Sequence, residues 1–225
     1  MAPKRLSTST PPFSFVDTLK DKTKEDFEIV IARYDEDISW SNNYQEFRTV
    51  YNKGEPVDYP CIQLENIGHL ADTILRHIIN NYDNLATVTF FTHGSFNYRQ
   101  DQTIKESGRC RKLFKEFIST NPDQLVYISK KNLSISTHRF YGYPETIGQV
   151  YSRFFDKQYK KGFDWACGKW ISVGKKYIHN RPKEFYQKML DWVLSDYNGE
   201  QPSQGIYRTR GIYIERLLLH GLKTR

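Results

Sequence analysis

Polar side chains follow two short apolar runs that the sequence predicts as buried strands. The run 27–32 is rich in β-branched residues and leads into the polar stretch 33–37, whereas the run 87–92 leads into His93. An arginine or a histidine at a strand end can contact a phosphate group, so Arg33 is a candidate for that role. Pairing of Arg33 with a neighbouring carboxylate explains its position equally well.

A third cluster lies at the start of the clearest predicted helix. Apolar residues recur at helical spacing over 67–82, Asn66 is placed to cap the helix N-terminus, and Gly68 and Asp72 lie near its first turn. The first N–H groups of a helix lack intrahelical partners and carry partial positive charge, which favours an anion such as a diphosphate. Ordinary helix capping is the alternative explanation for Asn66 and Gly68.

Alternating strands and helices position these clusters. The predicted elements of the first half are strands at 27–32, 48–52, 61–64 and 87–92, a short helix near 38–47 and the helix 67–82. This order predicts an α/β fold with a mainly parallel sheet flanked by helices. Ligands of open α/β sheets bind beyond the carboxyl ends of the strands, so residues 32–37 and 92–95 should share one rim.

The second half of the sequence shows a less regular order of elements. The predictions are helices at 103–119, 145–159, 181–195 and 211–220, and strands at 125–129, 133–136 and 170–173. Residues 1–26 are rich in Ser, Thr, Pro and Lys and are predicted to form a flexible or surface-packed tail. Residues 27–225 are predicted to form a single domain.

The composition excludes several classes of protein. Aromatic residues make up 15% of the 225 residues, enough for a folded core, and no apolar run approaches the ~18 residues of a membrane-spanning helix. Three cysteines are too few, and odd in number, for a disulfide-stabilised scaffold, and the first residues lack the apolar stretch of a secretory signal. We therefore expect a cytoplasmic protein.

The net charge of +7 identifies no partner by its sign alone. The excess of basic residues lies mainly in the second half, within 99–115, 157–176 and the stretch from 205 onward. Interleaved aromatic and basic residues around 95–115 and 151–177 would suit a nucleic-acid-binding module, which stays open as an alternative. The chain has no recognised nucleic-acid motif, so nucleic acid is not the partner that we expect. It also lacks the P-loop, GxGxxG, GxSxG, CxxC and HExxH signatures.

The combined motifs resemble the nucleotide-binding half of GT-A glycosyltransferases. They are more closely similar to an uncharacterised glycosyltransferase-like domain family of fungi, bacteria and large DNA viruses. The stretches that carry the resemblance are IARYDEDISW at 31–40, ENIG at 65–68, INNYDNL at 79–85, VTFFTHG at 88–94, ACGKWISV at 166–173, RPKEFYQKMLDW at 181–192 and GIYIER at 211–216. The resemblance spans about 28–222.

The resemblance implies a GT-A-like fold and the transfer of a sugar from a nucleotide-diphosphate sugar donor to a hydroxyl of a glycan or protein acceptor. It also implies a nucleotide-binding half over 27–100 and an acceptor and catalytic half over 101–225. The implied donor-binding residues are Ala32, Arg33, Tyr34, Asp37, Asn66, Gly68, Asp72, His93 and Arg216.

The chain departs from the GT-A pattern at two places. The position of the usual DxD motif, whose carboxylates hold a divalent cation on the donor diphosphate, reads Thr92-His93-Gly94. A Mn²⁺ or Mg²⁺ cofactor is expected only if other residues hold it, because such cations prefer oxygen ligands. Cationic side chains are the alternative means of neutralising the diphosphate. The second departure is the run 69–71, where the family often has charged residues.

Inverting sugar transfer needs a base that takes the proton of the acceptor hydroxyl. Glu215, which lies in a matching stretch near basic residues, is the first candidate and Asp164 is the second. The leaving nucleoside diphosphate needs charge stabilisation from cationic side chains. The candidates are Arg33, Arg139, Lys169, Arg208, Arg210 and Arg216. The missing DxD motif leaves open a degenerate GT-A-like fold that binds a ligand without catalysing transfer.

Overall fold

The computed structural model describes residues 16–94, 114–133, 139–155 and 163–223. Their centre is a six-stranded sheet with the strand order β3-β2-β1-β4-β6-β5. The strands are β1 (Phe27–Arg33), β2 (Arg48–Asn52), β3 (Ile62–Gln63), β4 (Val88–His93), β5 (Leu125–Leu133) and β6 (Phe163–Gly174). Strands β1 to β4 are parallel, whereas β6 runs antiparallel to both β4 and β5. The predicted α/β class with a mainly parallel sheet is therefore confirmed.

Helices cover both faces of the sheet. They are α1 (His69–Asn81), α2 (114–118), α3 (Ile147–Phe154), α4 (Lys175–Ile178), α5 (Lys183–Leu194) and α6 (Gln204–Lys223), with a 3₁₀ helix at Ser39–Phe47. Alternate residues of each strand point to opposite faces, so β1 contributes Val30 to one apolar cluster and Ile29 to the other. Helices α1, α3, α5 and α6 pack on the face of Val30, and the 3₁₀ helix with α2 packs on the face of Ile29.

The strand order reverses between β1 and β4, and this reversal creates the rim that the sequence predicts. The chain moves outward from β1 through β2 to β3, and then returns through α1 to pair β4 with the other side of β1. Ala32 is the register partner of His93, and the Gly94 N–H donates to the Ala32 carbonyl at 2.8 Å. Residues 32–37 and 92–94 thus share the carboxyl edge, as predicted; residue 95 lies outside the described residues.

Three element boundaries in the second half were predicted wrongly. The sheet contains one long strand β6 rather than a short strand at 170–173, because the stretch 163–169 pairs with β5 beyond the last residue of β4. Strand β5 is continuous over Leu125–Leu133, where two strands were predicted; residues 134–136 lie outside the described part. Helix α6 begins at Gln204 rather than 211.

Other element boundaries differ less from their predicted positions, and two of the predicted helices lie partly outside the described residues. Helix α1 begins two residues later than predicted. In the helix predicted at 103–119, residues 114–118 are helical and 103–113 lie outside the described residues. The helix predicted at 145–159 also ends outside them, because 156–159 are not described. Within the predicted tail, Leu19 is fully buried in the apolar cluster of Ile29. No helix in the described parts of the chain has the length and apolar character needed to cross a membrane.

Candidate active site at the carboxyl edge of the sheet

Arg33 braces the loop that follows β1. Its Nε donates to the Glu36 carbonyl at 3.0 Å, and its Nη1 donates to the Tyr34 carbonyl at 3.0 Å and to Asn52 Oδ1 at 2.7 Å. These bonds tie the loop after β1 to the end of β2. The Arg33 guanidinium therefore binds two backbone carbonyls and one side-chain amide oxygen, and none of these bonds is to a neighbouring carboxylate. These bonds fix the conformation of the loop at the rim.

The same loop packs against the end of β4. The Tyr34 N–H donates to Glu36 Oε2 at 2.6 Å, and Asp37 Oδ1 accepts the Ser39 N–H at 2.8 Å at the start of the 3₁₀ helix. Trp40 Nε1 donates to the carbonyl of Gly94 at 2.8 Å, and a Cβ at Gly94 would stand 3.1 Å from the Glu36 side chain. The Tyr34 side chain is half exposed at this rim, where an aromatic ring can pack on a base or a sugar.

A buried ion-pair network lies beneath the start of α1. Lys53 follows β2 directly, and its Nζ donates to the carbonyls of Ile67 and His69 at 2.6 and 2.8 Å and to Asp72 Oδ2 at 2.7 Å. Arg76 Nε binds the other carboxylate oxygen of Asp72, also at 2.7 Å. Burial lowers the pKa of Lys53, and the Asp72 charge opposes that effect. Asp72, predicted as a donor contact, is thus held between two cations inside the protein.

The start of α1 is built differently from the prediction. Asn66 is exposed and does not cap the helix; the cap position is Gly68, with φ +60° and no side-chain capping bond. The prediction was wrong because Lys53 binds the Ile67 and His69 carbonyls, and this tertiary contact determines where the helix begins. His69 also has a positive φ, +53°. Such a backbone costs on the order of 1–3 kcal/mol outside glycine and is concentrated at functional sites.

Glu215 of α6 meets the N-terminus of α1. Its carboxylate accepts the N–H of Ala71, one of the first N–H groups of α1, which have no intrahelical partner. Burial raises the pKa of Glu215 to about 7, even though Arg216, the Ala71 N–H and Lys53 favour the charged form. A carboxyl with a pKa near the working pH is suited to accept and release a proton. The predicted anion site of α1 is therefore occupied in part by the protein's own carboxyl group.

One face of α6 packs against the N-terminus of α1. Arg208, Gly211 and Glu215 are spaced three and four residues apart and so lie on the same side of α6. A Cβ on Gly211 would stand 2.3 Å from the Gly68 carbonyl oxygen, so only glycine permits this approach of the two backbones. The close crossing brings Glu215 within hydrogen-bonding distance of α1.

The remaining predicted residues occupy different parts of this edge. His93 is the last residue of β4, beside Ala32. The Arg216 guanidinium lies 5.8 Å from the ring centre of Phe140. Asp164 lies on the part of β6 that continues past β4 and pairs with β5, so it is six positions along β6 from Trp170, the partner of Thr92.

Two of the predicted cations have structural partners. Arg210 is buried and binds the Tyr143 hydroxyl at 3.0 Å and the carbonyls of Ser195 and Asp196 at 2.5 and 3.2 Å, so it closes the end of α5. Arg139 Nε donates to the carbonyl of Pro144 at 2.9 Å. Lys169 lies on β6. Arg208, in contrast, is exposed beside the start of α1.

Sequence reasoning missed the roles of Lys53 and His69. Lys53 opens the segment Lys-Gly-Glu-Pro, whose composition is typical of a turn, and its signal is a lysine placed directly after a buried strand. His69 was noted only as a departure from the family pattern. The Lys53 charge influences both the Glu215 carboxyl and the His69 ring, so all three groups belong to one region at the start of α1.

Within the described residues, no group of three or more His, Cys, Asp or Glu side chains is arranged to hold a metal ion.

Comparison with known proteins identifies a family. No curated protein and no solved structure matches the chain. A family model described as "Protein of unknown function (DUF3431)" matches residues 29–208, from β1 to the first turns of α6. Because the match covers most of the chain, including the sheet and the start of α1, the protein belongs to the DUF3431 family.

Proposed function

We propose that this protein is a nucleotide-sugar-dependent glycosyltransferase that transfers a sugar to a hydroxyl of a glycan or protein acceptor. The observation that carries the proposal is the Glu215 carboxyl, with a pKa raised to about 7, at the carboxyl edge of a mainly parallel sheet. The resemblance of the sequence to GT-A glycosyltransferases and the change of strand order between β1 and β4 support it.

In this proposal, the donor lies across the rim formed by the ends of β1 and β4. Ala32, Arg33, Tyr34, Asp37 and His93 line this edge or shape its loop. Asn66, Gly68 and Asp72 belong to the neighbouring start of α1, where Asp72 acts through Lys53 rather than by direct contact. Arg33 at the end of β1 and Arg216 of α6 are the cations that we assign to the charge of the diphosphate, and a Mn²⁺ or Mg²⁺ ion is a further source of stabilisation.

Glu215 acts as the general base in this reaction. Its carboxylate takes the proton of the acceptor hydroxyl while the hydroxyl oxygen forms a bond to the anomeric carbon of the donor sugar. The bond between that carbon and the phosphate oxygen breaks, and its electron pair leaves on the nucleoside diphosphate. The Ala71 N–H and the charges of Lys53 and Arg216 keep enough of the carboxyl in its basic form near neutral pH. Asp164 is the second candidate for the base.

Donor binding and transfer test the proposal separately. Isothermal titration with UDP-glucose and GDP-mannose, with and without Mn²⁺, should show binding of at least one donor. Glu215→Gln should retain donor affinity within about twofold and lower the transfer rate by about 10²-fold or more, the usual range for loss of a general base. Glu200→Gln, an exposed glutamate on the loop before α6, is the matched control and should retain the wild-type rate.

Failure of every donor to bind would refute the proposed function. Donor binding without transfer to any hydroxyl acceptor would instead favour a transferase-like fold that serves as a binding protein. We place the activity in the cytoplasm, a reducing compartment that suits the free thiol of Cys61.

A further inference from the structure

The turn 139–144 presents an aromatic ring to solvent beside α6. Tyr141 is 73% exposed, although large aromatic side chains are mostly buried in this protein. Its φ is +50° and that of the next residue, Gly142, is +73°. A bulky residue is strained in the left-handed region of backbone conformations, so the surrounding structure must maintain this conformation of Tyr141.

Hydrogen bonds to neighbouring elements hold this turn in place. The Tyr143 N–H donates to the Phe140 carbonyl at 2.9 Å, and the Phe140 N–H donates to the Tyr213 hydroxyl of α6 at 3.2 Å. The Tyr143 hydroxyl accepts Arg210 Nε at 3.0 Å. Phe140 and Tyr143, which flank Tyr141 and Gly142, are therefore hydrogen-bonded to α6 and hold the turn in place.

An exposed guanidinium stands over this ring. The Cζ atom of Arg208 lies 5.6 Å from the ring centre of Tyr141, within the range of a cation–π contact. Among the residues that the structure describes, no carboxylate lies within ion-pair distance of Arg208. The planar donor groups of Arg208 are therefore available for an anionic group of a ligand.

His69 follows Gly68, whose carbonyl oxygen lies against Gly211 of α6, one turn from Arg208, and the charge of Arg208 influences the His69 ring. Burial is the largest cause that lowers the pKa of His69, and the positive charges of Arg208 and Lys53 lower it further. The imidazole is therefore neutral near pH 7, when one ring nitrogen donates a hydrogen bond and the other accepts one. A sugar hydroxyl can donate to one of these nitrogens or accept from the other.

This surface is connected to the proposed base along one helix face. Arg208 and Glu215 are seven residues apart on α6, which places them on the same side and about 10 Å apart along the axis. In the proposed reaction the donor lies at the rim formed by the ends of β1 and β4. We therefore assign this surface, farther along α6 from Glu215, to the acceptor.

We propose that Tyr141, Arg208 and His69 form an acceptor subsite that selects a sugar bearing a negatively charged group, either a carboxylate or a phosphate. The apolar face of the sugar ring packs on Tyr141, and its anionic group accepts paired hydrogen bonds from Arg208. His69 binds a hydroxyl of the same sugar. The inference rests on the proposed function, because it takes Glu215 as the base that activates this acceptor.

The subsite is tested by titrations followed by NMR chemical shifts, without donor, using glucuronic acid, glucose 6-phosphate and methyl glucoside. The two anionic sugars should bind at least about tenfold more tightly than the neutral one, as expected for charge-assisted hydrogen bonds. Arg208→Gln should abolish this preference, whereas Tyr141→Ala should weaken binding of all three sugars. Lys188→Gln, which removes an exposed charge from α5, is the matched control and should keep the preference.

Two results would overturn the subsite: equal binding of charged and neutral sugars, or a preference that survives in Arg208→Gln. The tighter of the two anionic sugars identifies carboxylate or phosphate as the recognised group. Donor titrations of the same variants separate this inference from the proposed function. If charged sugars bind through Arg208 and no nucleotide sugar binds, the subsite stands and the glycosyltransferase assignment fails.

Discussion

Replacement of Glu215 by glutamine should stabilise the protein at alkaline pH. Burial raises the pKa of this carboxyl from its ordinary value of 4.5 to about 7, so the folded state binds its proton more tightly than the unfolded chain does. Between these two values the folded protein holds more protons, and its free energy of unfolding must fall as the pH rises. Above pH 7 this loss is complete, because the carboxyl is then charged in both states.

The magnitude follows from the difference between the two pKa values. A tenfold change in proton affinity corresponds to about 1.4 kcal/mol, so the ionised carboxyl lowers the free energy of unfolding by about 3 kcal/mol at pH 8. Glutamine keeps an oxygen that accepts the Ala71 N–H but carries no charge. For a chain of this length, the variant should melt roughly 6–12 °C above wild type at pH 8.

Thermal unfolding followed by circular dichroism at pH 4.5 and pH 8 measures this effect. At pH 4.5 the variant and the wild type should melt within about 2 °C of each other, because the Glu215 carboxyl is then mostly protonated in the folded protein. Glu200→Gln is the control and should show no pH-dependent difference. The reasoning is refuted if Glu215→Gln lowers the melting temperature at pH 8, or if its effect is the same at both pH values.

Three further substitutions test the site and the sheet that supports it. Lys53→Met should lower the free energy of unfolding by about 3 kcal/mol or more in urea titrations, because it leaves the buried Asp72 with half of its ion-pair network; an unchanged midpoint would contradict that role. Gly211→Ala should lower the melting temperature by several degrees, since its Cβ would stand 2.3 Å from a backbone oxygen, whereas Gly205→Ala on the same helix has its nearest neighbour at 3.7 Å and should not destabilise. Equal effects of the two alanines would argue against the close helix crossing. Burial alone would raise the pKa of Glu28, but hydrogen bonds with a histidine and a threonine lower it overall. The stability that Glu28 contributes should therefore be present above pH ~4.5 and be lost as the pH falls below it, so Glu28→Gln should flatten the acid limb of a stability–pH curve.

The first half of the fold could be predicted because local patterns determine it. Strands β1 and β4 consist mainly of short apolar runs, β2 is a short stretch rich in β-branched and aromatic residues, and α1 has an apolar stripe at helical spacing. The parallel order and the shared rim followed from the alternation of these elements. The largest difference is the start of α1, two residues later than predicted, where Lys53 from the end of β2 binds the carbonyls of Ile67 and His69.

The second half could not be predicted to the same accuracy because distant contacts determine its boundaries. Strand β6 is long because its first half pairs with β5, whose partner residues lie 30 to 37 positions earlier in the chain. The first turns of α6 contain the charged residues Arg208 and Arg210, so this part of the helix shows little of the apolar periodicity that predicts a helix. Arg210 is nevertheless buried, since it binds the last carbonyls of α5, and this contact holds the helix start.

The sequence by itself determined the α/β class, the rim at the ends of β1 and β4, and Glu215 as a candidate base, because apolar periodicity and a family resemblance are properties of contiguous stretches. Only the tertiary structure decided what surrounds that carboxyl. Lys53, Ala71 and Glu215 come from three separate segments, and the small size of Gly211 lets these segments meet. The pKa of Glu215 depends on burial and on charges brought together in space, which the order of residues along the chain does not reveal.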